Sequence, residues 1–129
     1  SERPASEETL AQGLHYFQMD GPAVYNTATR AVPESIRTLL DQTGVTIGDI
    51  TCMLPHQPSI KILEEIARQV GLSWEKVHTN MDRYANTSGG TIPIVLDETW
   101  RSTEFNPGDL LLFAAVGAGW TWGTALYKV

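Results

Sequence analysis

The chain is short of cysteine, of basic residues and of long apolar runs, and each shortage closes off a class of function. Cys52 is the only cysteine in 129 residues, which excludes an internal disulfide and a cysteine-built metal cluster. A reducing, cytoplasmic setting fits that usage. The longest apolar run, residues 110–116, has the length of a strand and falls far below the roughly 20 residues a membrane span needs. No charged start followed by an apolar stretch and a small-residue cleavage site marks the chain for export. With Lys and Arg totalling 9 against 15 Asp and Glu, the net charge is −6, the wrong sign for a general nucleic-acid binder. His15, His56 and His78 show no spacing such as H-x-x-x-H, so no metal site is expected. No internal repeat or low-complexity segment is present. What remains is ordinary for a globular domain with a core of its own: 42% hydrophobic and 19% charged residues.

Residues 1–20 read as a loop or tail, polar and acidic at first, continuing from a missing upstream half. Residues 21–129 read as the folded domain. Val24, Ala28, Ala31, Val32, Ile36, Leu39 and Leu40 fall at helical intervals. Gly44 stands where a left-handed cap ends such a helix, and Pro33 is expected to kink or split it. Residues 52–54 form a short strand candidate. Ile60, Leu63, Ile66, Ala67 and Val70 then line a second helix closed by Gly71. Residues 76–80 read as a second brief strand, and 87–101 as a third helix with Pro93 in its first turns. "NPGD" at 106–109 is a turn. Residues 110–115 and 120–128 read as strands joined by a loop short enough for a hairpin. This alternation predicts an α/β fold with a mostly parallel mixed sheet, an antiparallel C-terminal strand and helices packed on it.

In such sheets ligands gather at the carboxyl ends of the strands. Two polar clusters fall there, Pro55-His56-Gln57 and the run from Tyr84 to Gly90. His56 and Asn86 could therefore face one cavity. A histidine beside a helix N-terminus is disfavoured as imidazolium. A neutral ring and an Asn amide, each donating one N–H to the same oxygen, would make an oxyanion hole suited to a developing enolate. Plainer readings stand beside this one. His56 could be a core or cap histidine, Asn86 an N-cap, and Trp100, Trp120 and Trp122 core residues. Cys52, inside a strand with no base beside it, reads as an inert buried thiol. Gly117-Ala118-Gly119 lacks the following helix that a dinucleotide fingerprint requires.

The segments "MLPHQPSIKILEEIARQVGL", "DRYANTSGGTIPIVLDE" and "NPGDLLLFAAVGAGWTWGTALYKV" together resemble the C-terminal half of β-ketoacyl-acyl carrier protein synthase III. "FQMDGPAVYNTATRAVPESI" is similar to the helix that precedes them. The resemblance runs from about residue 14 to the end. It implies a thiolase-like fold and an acyltransferase that performs decarboxylative Claisen condensation. Its substrates would be an acyl thioester, supplied as acyl-CoA, and malonyl carried on acyl carrier protein, with no cofactor, in a cytoplasmic homodimer of fatty acid biosynthesis. His56 and Asn86 would be two members of a Cys-His-Asn triad. The cysteine would belong to the chain's own N-terminal half, leaving these 129 residues inactive alone. Gln57, Pro58, Ser59, Ile60 and Lys61 would contact substrate or carrier, and Gly117, Ala118 and Gly119 would line the cavity with backbone.

Two departures bear on the carrier and the acyl substrate. The family commonly continues PHQ with Ala-Asn and an Arg two places later, where this chain has Pro58-Ser59 and then Lys61, which lacks the bidentate fork of Arg. Gly89-Gly90 replaces residues more often alanine. Two further readings follow: an acyltransferase of secondary metabolism making esters or amides on the same fold, and a non-catalytic partner subunit.

Overall fold

The computed structural model describes residues 3–129. The segment read as a loop or tail carries a short helix, α1 (Glu7–Ala11); its first two residues lie outside the described part. Ser6 and Thr9 cap α1 reciprocally, the Ser6 hydroxyl accepting the Thr9 N–H and the Thr9 hydroxyl the Ser6 N–H, while Glu7 and Glu8 face the positive end of the helix. A capping box has no apolar period, which is why the segment read as irregular.

Helix α2 (Gly21–Thr43) begins at Asp20, whose carboxylate accepts the Ala23 N–H at 3.0 Å, and ends at Gly44 with φ 69°. It runs through Pro33 as one helix, so of the kink or split expected there the split does not occur. Proline deletes one intrahelical bond, but the Pro33 ring is fully buried beside Val32 and Ile36, and packing outweighs that loss.

Strand β1 (Cys52–Pro55) is buried at every position. Helix α3 (Ile60–Val70) follows and closes on Gly71 at φ 76°. Its buried stripe is Ile62, Leu63, Ile66 and Ala67; Ile60, assigned above to that stripe, is exposed. The strand expected at 76–80 does not form. Only Val77 bridges Met53, and the His78 N–H donates to the Met53 carbonyl at 3.0 Å. The Asn80 N–H is already bonded to the Gln57 side chain, and the chain turns at once into helix α4 (Met81–Tyr84). Helix α5 (Thr91–Ser102) then leads to β2 (Leu110–Gly117) and β3 (Thr121–Lys128).

The sheet has the order β1-β2-β3, the first pair parallel and the second antiparallel. The registers are Cys52 with Leu111 and Gly117 with Thr121. Alternation along β1 divides the core in two. Met53 points with Leu112 toward Ile36 of α2 and Ile66 of α3. Cys52 and Leu54 point with Leu111 toward Val95 of α5. Each such side chain removed from water contributes about 1.5–3 kcal/mol. The result is an α/β/α layering that places the ends of β1 and β2 beside the start of α5. Trp100, Trp120 and Trp122, expected in the core, are 49%, 43% and 45% exposed, because they stand on faces that nothing in these layers covers. No helix among the described residues is long and apolar enough to cross a membrane.

Candidate active site

The His56 N–H donates to the Ala114 carbonyl at 2.8 Å, extending the β1–β2 ladder one residue past the strand. Backbone pairing, flanked by Pro55 and Pro58, therefore fixes where the imidazole leaves the sheet. The ring lies in the wall of a cavity of about 510 Å3 that also includes Ser88, Thr91, Val116, Gly117 and Trp122. His56 Nδ1 is 2.6 Å from the Thr91 hydroxyl. Burial holds the imidazole below its ordinary pKa of 6.5, so the ring is neutral at pH 7. The cause of this lowering is desolvation, where helix polarity had been invoked.

Asn86 is exposed and is not part of the cavity wall; Ser88, two residues on, is. The Asn86 amide oxygen accepts the Ser88 N–H at 2.9 Å, an Asx turn that leaves the NH2 as the group available to a ligand. The bend is tight: Ala85 and Ser88 have φ of 54° and 55°, left-handed values that cost a non-glycine residue of order 1–3 kcal/mol. Imidazole and carboxamide thus stand on adjoining connections at one edge of the sheet, linked through Ser88 and Thr91, with only the imidazole in the wall.

Gln57 requires correction. It is completely buried, donating to the Pro55 carbonyl at 2.9 Å and the His78 carbonyl at 3.2 Å while accepting the Asn80 N–H at 3.3 Å. A side chain so enclosed cannot touch a substrate or carrier; it ties the turn after β1 to the chain before α4. Pro58 and Ser59 are half-buried, whereas Ile60 and Lys61 are exposed at the start of α3. Of the three small residues after β2, Gly117 lines the cavity. Ala118 and Gly119 lie in the turn beyond it, outside the cavity wall assigned to them.

Two features have no simple sequence signal. Thr91, 2% exposed, reaches His56 only because α5 packs against β1. Asn80, also 2% exposed, donates through its amide to Glu98 at 2.8 Å, and Arg83 grips the same carboxylate with two N–H groups. The Asn80 amide first, and Arg83 after it, hold the Glu98 carboxyl below the usual range. Gln57, Asn80, Glu98 and Arg83 so connect the residue after His56 to the helix before Asn86. Cys52 lies in β1, where burial pushes its thiol up to about 11, too high for a nucleophile.

Layered helices on a mixed sheet, with polar groups at the strand ends, make the chain an α/β protein, and the solved structures it matches give it a thiolase-like fold. Crystal structures of 3-oxoacyl-[acyl-carrier-protein] synthase III from Aquifex aeolicus and Pseudomonas aeruginosa superpose on it with TM-scores of 0.86 at 34% and 33% identity. They match over 90% and 97% of this chain and 38% and 39% of theirs. Residues 40–129 match the family described as 3-oxoacyl-[acyl-carrier-protein (ACP)] synthase III C terminal, and the chain belongs to that family. Beta-ketoacyl-[acyl-carrier-protein] synthase III of Symbiobacterium thermophilum is 42% identical over 95% of this chain, and that of Desulfitobacterium hafniense 41% over 99%. The chain spans 37% and 39% of the length of these two relatives.

Proposed function

We propose that this chain is the C-terminal catalytic part of a β-ketoacyl-acyl carrier protein synthase III. The observation that carries the reading is an imidazole fixed at the end of β1, its Nδ1 bonded to the Thr91 hydroxyl and its ring in the wall of a cavity. In the proposed reaction a cysteine supplied by the rest of the protein takes the acyl group from acyl-CoA as a thioester, the acyl–sulfur bond to CoA breaking and CoA leaving as its thiol. Cys52 is buried and weakly acidic, so it does not fill that role. Malonyl thioester then loses carbon dioxide: the bond to the carboxylate breaks, and its electron pair moves onto the thioester carbonyl as an enolate. The His56 N–H and the Asn86 NH2 donate to that oxygen. The enolate carbon attacks the acyl carbon, a carbon–carbon bond forms, and cysteine thiolate leaves. Donors of this kind each contribute a few kcal/mol to the barrier.

Family membership at 41–42% identity supports the condensing reaction over ester or amide formation. Exposed Trp122 in the cavity wall suits a site completed by further protein. The resemblance supports acyl carrier protein as partner, with exposed Ile60 and Lys61 the side chains of that segment able to meet it, and a cytoplasmic homodimer needing no cofactor. The test is direct: protein of the relatives' full length converts acyl-CoA and malonyl-acyl carrier protein to 3-oxoacyl product, and the purified 129-residue chain does not. Steady product from the short chain, or none from the long one, refutes the reading.

A further inference from the structure

Enolate stabilisation needs a particular form of neutral histidine. The proton must sit on Nε2, the nitrogen left for the cavity, and Nδ1 must then accept a hydrogen bond. We propose that Thr91 is the positioning residue that fixes this tautomer, by donating its hydroxyl proton to His56 Nδ1.

The Thr91 hydroxyl has one proton and two acceptors in reach, His56 Nδ1 at 2.6 Å and the Ser88 carbonyl at 3.0 Å. Two observations and one chemical argument assign it to the ring. An N–H donor approaches oxygen to about 2.7–3.2 Å, whereas hydroxyl donors come closer, so 2.6 Å fits O–H to nitrogen better than N–H to oxygen. The Ser88 carbonyl already accepts the Thr91 backbone N–H at the start of α5, so the hydroxyl proton is not required there. Imidazole nitrogen is also the stronger base of the two acceptors. Thr91 is 2% exposed, which shields this bond from competing water, and its place at the first position of α5 is set by the packing of that helix on Leu54 and Leu111.

The assignment of the proton stands on the geometry and on the basicity of the two acceptors; its use in enolate stabilisation rests on the condensing reading. The experiment is nitrogen NMR of the labelled 129-residue chain above pH 7, reading the His56 ring through long-range proton–nitrogen correlations, with His56→Gln to assign its signals. The expected spectrum places the ring proton on Nε2 and shows Nδ1 as an acceptor. Thr91→Val shifts the Nδ1 signal and brings in the other tautomer, and Thr91→Ser restores the original signals. A proton on Nδ1 in the unsubstituted chain overturns the proposal, as does an Nδ1 signal indifferent to Thr91→Val. In full-length protein Thr91→Val slows malonyl decarboxylation about ten-fold, with KM unchanged and Thr91→Ser restoring the rate. If His56→Ala abolishes decarboxylation and Thr91→Val leaves it intact, the role given to Thr91 is wrong. If neither affects it, the condensing reading falls while the tautomer assignment remains.

Discussion

Replacing Gln57 with leucine separates a structural role from a carrier-binding one. Leucine has nearly the same volume and makes none of the three hydrogen bonds, to the Pro55 and His78 carbonyls and from the Asn80 N–H. All lie in the interior, where Gln57 has 0% exposure. Each buried group deprived of its partner costs about 1–3 kcal/mol. Partial relief from better burial of the leucine brings the sum near the low end, about 3 kcal/mol. For a domain of this size that is a fall in melting temperature of roughly 10 °C. Urea unfolding followed by tryptophan fluorescence measures it, with the midpoint lowered and the slope unchanged. Lys61→Ala, an exposed change four residues on, serves as the contrast and is expected within about 0.5 kcal/mol of the parent. A Gln57→Leu chain as stable as the parent, whose only defect is weaker carrier binding, refutes the structural assignment.

Two further outcomes follow from the geometry. Ala85→Gly removes the penalty of φ 54° at the modest cost of a freer unfolded chain, so a gain of about 1 kcal/mol is expected in the same unfolding assay; a loss contradicts the strained bend. Burial holds His56 and His78 below 6.5, so the folded state binds fewer protons than the unfolded one at mildly acidic pH. Stability is therefore level above about pH 6.5 and declines as pH falls below it toward the folded values. Urea midpoints measured from pH 8 to pH 5 check this, and a rise on acidification contradicts it.

Most of the scaffold was readable from residue order. Helical spacing in α2 and α3, the glycine stops at 44 and 71, and the paired apolar runs of the last hairpin are local signals, and local signals carry over into structure when packing agrees with them. A split at Pro33 and a strand at 76–80 failed to appear for the opposite reason. A core-facing helix tolerated its proline, and a segment with apparent strand character lost its pairing to the Gln57 side chain. The tryptophans misled because side-chain size predicts burial only when something covers the face. Within the site, the position of His56 was legible from the apolar strand before it. Its bond to Thr91, the bond of Gln57 to His78 and that of Asn80 to Glu98 join residues 18 to 35 positions apart, and no local pattern announces such pairings.

The reading as a whole turns on whether the imidazole at the end of β1 handles the malonyl carbonyl. His56→Ala in full-length protein, assayed separately for carbon dioxide release from malonyl-acyl carrier protein and for acylation by acyl-CoA, tests it most directly. Loss of carbon dioxide release by about 100-fold or more, with acylation largely kept, is the result expected. Both steps proceeding at the parent rate would contradict it.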